Sequence, residues 1–174
     1  MNLVKLVPFE EQHLPTVLEW VNTPSVRDNI GTIRPVSMVE HREWYRAVQT
    51  DKSRLQLIIS DSKRNAPIGM VGLASIDQSY RNAELWLYLG EASSRRKGFG
   101  RAAVAEMLKM AFGSLGLHRV YAHVFEFNEP AKRLFSSCGF TFEGTLRDAA
   151  FKGGRFVNKD LFSILATEWQ GKTS

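Results

Sequence analysis

Apolar residues recur along this chain with two different periods, and the switches between them mark out its elements. Near the N-terminus, LVKLVPF is short, apolar and β-branched, as expected of a strand. Leu14, Val17, Leu18 and Val21 then return at steps of three and four, which predicts a helix within EEQHLPTVLEWVN. The turn-rich stretch TPSVRDNIGTIRP interrupts the pattern. Ser37-Met38-Val39-Glu40 reads as a capping box, in which a serine hydroxyl and a glutamate carboxylate each take one orphan backbone N–H. A helix to about Thr50 should follow, carrying Trp44, Tyr45 and Val48.

Strand-like runs come next: RLQLIIS, APIGMVGLASID and NAELWLYLG, separated by the turn chemistry of DSKRNAP and QSYRN. Val104, Leu108, Ala111 and Leu115 predict a helix over RAAVAEMLKMAFGSLG that stops at Gly116. The β-branched and aromatic HRVYAHVFEF predicts a strand. NEPAKRLFSSCGF predicts a short helix from an Asn128 cap to Gly139. TFEGTLRDAAFK and RFVNKDLFSILATEW, joined by Gly153-Gly154, predict an antiparallel hairpin. The order β-α-α-β-β-β-α-β-α-β-β describes a mixed α/β domain whose one sheet is covered on both faces.

A length of 174 residues suits one domain, and no repeat, low-complexity tract or linker divides it. No run approaches the apolar length of a membrane span, and MNLVKLVPFEEQH turns acidic before a signal-like core develops, so a cytoplasmic protein with no membrane partner is expected. The single Cys138 excludes an internal disulfide, and His13, His41, His118 and His123 have no metal-ligand spacing, so no metal is expected. The 23 basic residues against 18 acidic ones give a net charge of +5, which favours an anionic partner unless the excess is simply solvated surface.

That charge is concentrated at SSRRKGFGRAAVAEML, between a strand ending at Gly90 and the helix beginning near Gly98. A helix N-terminus exposes unpaired N–H groups and the positive end of the dipole, and glycines let the backbone approach a ligand. Arg95, Arg96, Lys97 and Arg101 add full charges, so the turn reads as a phosphate or pyrophosphate cradle. It is neither a Walker loop, which needs G-x-x-x-x-G-K-[ST], nor a Rossmann turn, whose third glycine is replaced by Ala103. Nucleic-acid binding would need a continuous basic face with stacking aromatics rather than one charged turn.

Two motifs carry a family resemblance. Arg95-Arg96-Lys97-Gly98-Phe99-Gly100 matches [RQ]-x-x-G-x-[GA], and Asn128 to Phe140 matches N-x-x-A-x-x-[LF]-[YF]-x-x-x-G-F, with a strand at the right place between them. In these the chain resembles the GNAT superfamily of N-acetyltransferases, and its closing hairpin resembles the branch that acetylates ribosomal-protein N-termini, polyamines and nucleotide-linked amino sugars. The resemblance implies a single-domain fold with a mostly antiparallel sheet of about seven strands and about four helices, splayed between strands 4 and 5. It implies acetyl-CoA as donor. Backbone amides of Arg95, Arg96, Lys97, Gly98, Phe99, Gly100 and Arg101 would hold the pyrophosphate, Leu87, Tyr88 and Leu89 would pair with the pantetheine arm, and Asn128 would contact that arm. A homodimer is a further implication.

Direct attack of a neutral amine on a thioester needs positioning, a polarised carbonyl, and somewhere for the amine proton to go. The backbone N–H of Tyr88 or Leu89 is the expected carbonyl donor, and Glu84 the candidate base, acting through water, unless it is only a solvent-facing strand residue. Where many relatives carry a tyrosine acid this chain has Phe135, leaving Tyr121, Ser136 or water to protonate the thiolate. Cys138 reads as a small packed residue rather than a nucleophile, and His123 as a satisfied strand residue rather than a base.

Trp20, Asn22, Trp44 and Trp86 are candidates for the acceptor site, although the tryptophans also suit a core. Arg27, Arg34, Arg42 and Arg46 make the front end basic, which suits a ribosomal-protein-like N-terminus or a nucleotide-linked amino sugar better than a polyamine. A non-catalytic acyl-CoA-binding regulator is the alternative from another class.

Overall fold

The computed structural model describes residues 2–32 and 34–171. Its seven strands form one sheet in the order β1-β2-β3-β4-β5-β7-β6. The strands are β1 (Val4–Pro8), β2 (Leu55–Asp61), β3 (Ala66–Asp77), β4 (Asn82–Leu89), β5 (Arg119–Phe125), β6 (Thr141–Lys152) and β7 (Arg155–Leu165). All neighbours run antiparallel except β4 and β5, which are parallel and joined by a crossover helix.

The helices are α1 (Leu14–Asn22), α2 (Pro24–Arg27), α3 (Met38–Thr50), α4 (Phe99–Lys109) and α5 (Glu129–Ser137). The count exceeds the expected four by α2, a single turn in the stretch read as a plain turn. Pro24 occupies its first position, where a fixed φ favours helix and a missing N–H costs nothing. The capping box of α3 is present in both directions: Ser37 Oγ accepts from Glu40 N at 3.3 Å, and Ser37 N donates to Glu40 Oε2 at 2.9 Å. Beyond Lys109 the helix widens, with Leu115 N donating to Met110 O, before Gly116 ends it at φ +61°.

Side chains alternate across β4 and divide the core in two. Ala83 and Leu85 face α4 and join Leu73, Met107, Leu108, Val120 and Phe162. Trp86 and Tyr88 face the other way, against the cluster of Phe9, Leu14, Val17, Trp20, Ile58 and Met70 beneath α1 and α3. β4 thus touches both hydrophobic layers, and at its far end it parts from β5. Among the described residues no helix is long and apolar enough to cross a membrane.

Candidate active site

The parallel pair is short. Asn82, Ala83 and Glu84 lie opposite Arg119, Val120 and Tyr121, after which β4 runs on to Leu89 and β5 to Phe125 without pairing. The gap so opened leaves backbone groups on its walls without a ladder partner. Which groups face it follows from the β3 register. Gly90 N donates to Ile68 O at 2.9 Å, so the hydrogen-bonded pairs along β3 and β4 are Met70 with Tyr88 and Gly72 with Trp86. The alternation turns the N–H groups of Leu87 and Leu89 into the gap and that of Tyr88 toward β3. The expected carbonyl donor is corrected accordingly: Leu89 stays available on the gap side, whereas Tyr88 spends its amide inside the sheet.

The first turn of α4 stands over this gap. A Cβ built on Gly100 would lie 3.3 Å from Leu134 of α5 and 3.9 Å from Leu87 of β4. Gly98 is the N-cap at φ +83° and Arg96 is left-handed at φ +60°, which curls the preceding turn around the helix end. The backbone N–H groups of Gly98, Phe99, Gly100 and Arg101 have no partner among the described residues. Arg96, Lys97 and Arg101 form no ion pair there either. Free donors, a dipole end and uncommitted cations at one point fit a diphosphate. Arg95 is different: its guanidinium donates to Ser25 Oγ at 3.0 Å and Leu89 O at 3.4 Å, tying α2 to the end of β4.

Where the strands begin to part, Glu84 Oε1 lies 2.9 Å from His123 Nδ1, bridging β4 and β5. Tyr121 meets the imidazole edge-on, with ring centroids 5.5 Å apart at 79°. Burial first, and the Glu84 charge second, push the Tyr121 phenol above its ordinary range, so it keeps its proton at neutral pH. Phe135 is excluded from this chemistry by position as well as by type, since it is buried against Phe140 and Phe162. Ser136 is exposed on α5, and burial raises the Cys138 thiol, as befits a packed residue.

On the α1 and α3 face, beside the same stretch of β4, opens a cavity of about 700 Å³. Trp86 and Tyr88 form its floor, Trp44 and His41 one wall, and Val21, Ile30 and Val36 much of the remainder. Trp86 and Tyr88 stack at 6.2 Å, and His41 lies nearly parallel to Trp44 at 5.3 Å. His41 is 3% exposed, its Nε2 has no hydrogen-bond partner, and burial lowers its pKa, so the ring is neutral. Among the described residues one carboxylate reaches the lining, Glu40, and it is already engaged. The Arg34 guanidinium, followed by the Ser37 amide and hydroxyl, holds Glu40 down to about 2.

Of the residues expected at an acceptor site, Trp44 and Trp86 line the cavity. Trp20 and Asn22 do not. The Trp20 ring occupies the space where a Cβ on Gly90 would sit, 2.1 Å from the nearest ring atom, and is a core residue. Asn22 clamps Val36, donating from Nδ2 to its carbonyl at 2.9 Å and accepting its N–H at 2.8 Å. Asn128 caps α5 by accepting from Ala131 N at 3.2 Å. Of the four front-end arginines, Arg34 is paired with Glu40, Arg42 with Glu11, and Arg27 lies 3.9 Å from Asp28.

Two contributors stand out only in the structure. His123, which reads in sequence as a strand residue rather than a base, is brought by the β4–β5 register to Glu84, 39 positions away. Lys152 donates to the carbonyls of Arg27 at 3.1 Å, Asp28 at 3.0 Å and Ile30, so the closing hairpin holds the loop that supplies Ile30 and Thr32 to the cavity.

A family model described as an acetyltransferase (GNAT) domain matches residues 4–141. The spermidine N(1)-acetyltransferase of Vibrio cholerae is 30% identical over 137 residues, covering 79% of this chain and 78% of that protein. A putative ribosomal N-acetyltransferase of Bacillus subtilis is 31% identical over 171 residues, covering 98% and 88%. The crystal structure of the Vibrio cholerae spermidine N-acetyltransferase in complex with CoA and spermine superposes with a TM-score of 0.90 at 26% identity, covering 97% of this chain and 98% of that one.

Proposed function

The chain belongs to the GNAT acetyltransferases and is an acetyl-CoA-dependent N-acetyltransferase, and from that premise we propose that its acceptor is the α-amino group of a polypeptide that begins with bulky apolar residues. The observation that carries this reading is the cavity beside β4, which is aromatic and whose one lining carboxylate is cancelled by Arg34.

A polyamine carries several ammonium groups, and each one buried needs a compensating anion. Among the described residues this cavity's lining has none to spare. A nucleotide-linked sugar would bring a diphosphate, and of the arginines that could meet it Arg27, Arg34 and Arg42 already face carboxylates, while Arg46 is not among the residues lining the cavity. Apolar side chains following an α-amine would instead bury against Trp44, Trp86 and Val36, each gaining about 1.5–3 kcal/mol on full burial.

Proton chemistry supports the same acceptor. An α-amine with a pKa near 8 loses about 1 kcal/mol in becoming neutral at physiological pH, whereas an alkyl amine above 10 loses about 4 kcal/mol. The first asks less of the group that takes the amine proton. Bound acetyl-CoA supplies the acetyl group and a thiolate that leaves readily. The chain's own residues do the rest: the α4 terminus anchors the diphosphate, Leu87 and Leu89 orient the arm and carbonyl from the gap, and the Glu84–His123 pair receives the amine proton.

A polyamine acceptor remains the second reading, favoured by the likeness to the Vibrio cholerae spermidine enzyme and by cation–π surfaces in the cavity. Competition for acetyl-CoA between spermidine and a peptide with N-terminal Leu-Phe, read by mass spectrometry, separates the two. Peptide acetylation should dominate at least tenfold. Dominant acetylspermidine would overturn the proposed acceptor.

A further inference from the structure

Within the acetyltransferase reading, we infer that His123 is the catalytic base, taking the amine proton on Nε2, and that Glu84 is a positioning residue acting through it. Nδ1 of His123 is 2.9 Å from Glu84 Oε1. A carboxylate accepts but cannot donate when ionised, so the contact fixes the proton on Nδ1 and leaves a lone pair on Nε2. Nε2 has no partner among the described residues, and the His123 side chain is 24% exposed, so it is open to an incoming group. Glu84 meanwhile spends one oxygen on the imidazole.

The place in the fold fits this division of labour. Glu84 is the last β4 residue paired with β5, and His123 stands two residues beyond its partner Tyr121, at the start of the gap. Glu84, Trp86 and Tyr88 share one face of β4, so the pair lies within a few residues of the cavity floor, each two-residue step being about 6.6 Å. The groups around the imidazole are few. Glu84 approaches from β4 and Tyr121 from β5 itself, with Ser75 of β3 at the Tyr121 phenol. From β7, Leu161 is the register partner of His123 and Lys159 sits near Phe125, 5.4 Å from its ring.

The step balances without another reactant. The substrate ammonium gives one proton to Nε2, and the imidazolium, held against the Glu84 carboxylate, later releases it to water. The neutral nitrogen forms its bond to the acetyl carbon as the carbon–sulfur bond breaks. The second proton leaves the nitrogen and ends on the thiolate, giving amide, thiol and one free proton.

The test uses the full chain and needs no assumption about which amine is native. First, the 15N shifts of the parent's His123 should report the Nδ1–H tautomer, reverting to the Nε2–H form favoured by a free histidine side chain in Glu84→Ala. Second, with an amine that the parent acetylates, His123→Gln should lower kcat/KM by about 10²–10⁴-fold near neutral pH. That deficit should shrink as pH rises past the amine's own pKa, because the base is then redundant. Third, Glu84→Gln should cost less than His123→Gln and add almost nothing to it in the double variant. An Nε2–H tautomer in the parent, a deficit constant with pH, or Glu84→Gln costing more than His123→Gln would overturn the inference. Absence of turnover by the parent with any amine would instead remove the acetyltransferase reading it rests on, and coenzyme A binding by calorimetry tells that case from misfolding.

Discussion

Replacing Gly98 by glutamate should separate donor binding from folding. Gly98 caps α4 at φ +83°, so any side chain there costs about 1–2 kcal/mol of backbone strain. Space is not the difficulty, since a Cβ would meet only Leu3 Cδ1, at an ordinary 3.5 Å. Gly98→Ala therefore folds, with a Tm lower by about 2–8 °C. The glutamate adds a negative charge beside the four free N–H groups that fit a diphosphate. Two like charges 4 Å apart repel by about 1 kcal/mol in water and about 4 kcal/mol near a protein surface. A penalty of about 2–4 kcal/mol corresponds to a Kd weakened roughly thirty- to thousand-fold. Calorimetric titration with desulfo-coenzyme A, beside thermal melts of both variants, gives the numbers. If Gly98→Glu melts like Gly98→Ala and still binds within twofold of the parent, the diphosphate does not sit at this helix end.

Other consequences follow from the same contacts. Arg34→Gln leaves Glu40 as an unpaired carboxylate in the cavity, so kcat/KM for spermidine should rise while that for an apolar peptide falls. Trp44→Ala should raise the acceptor KM about tenfold or more with donor affinity unchanged, measured by initial rates and calorimetry. Lys152→Met frees three carbonyls of the loop carrying Ile30 and Thr32, so acceptor KM should rise and amide exchange across Arg27–Ile30 quicken. Glu143, held from its ordinary 4.5 down to about 2 mainly by Arg119, stabilises the fold above pH 4.5 and loses that contribution as pH falls toward 2. Acid denaturation of Glu143→Gln should therefore be shallower over that interval.

Much of this was legible from residues alone, because the signals were local. A capping box, a glycine turn before a helix and an asparagine cap each act within a few positions, and the strands carry their own periodicity. What stayed hidden depends on register and on packing between distant segments. That Leu89 rather than Tyr88 faces the gap follows from one hydrogen bond, Gly90 to Ile68, which fixes the parity of the whole β4 edge. Trp20 and Trp44 look alike in sequence, yet one fills the space over Gly90 and the other lines the cavity. The basic front end resembled an anion site until Arg34 and Arg42 met their carboxylates.

Residue-resolved amide exchange with and without desulfo-coenzyme A tests most directly whether the donor spans the α4 terminus and the β4–β5 gap. Protection should rise at Gly98, Phe99, Gly100 and Arg101 and at Leu87 and Leu89, while Tyr88, bonded within the sheet, is protected from the outset and changes little. Exchange unaltered at Leu87 and Leu89, or donor-induced protection confined to some other face of the protein, would contradict the account.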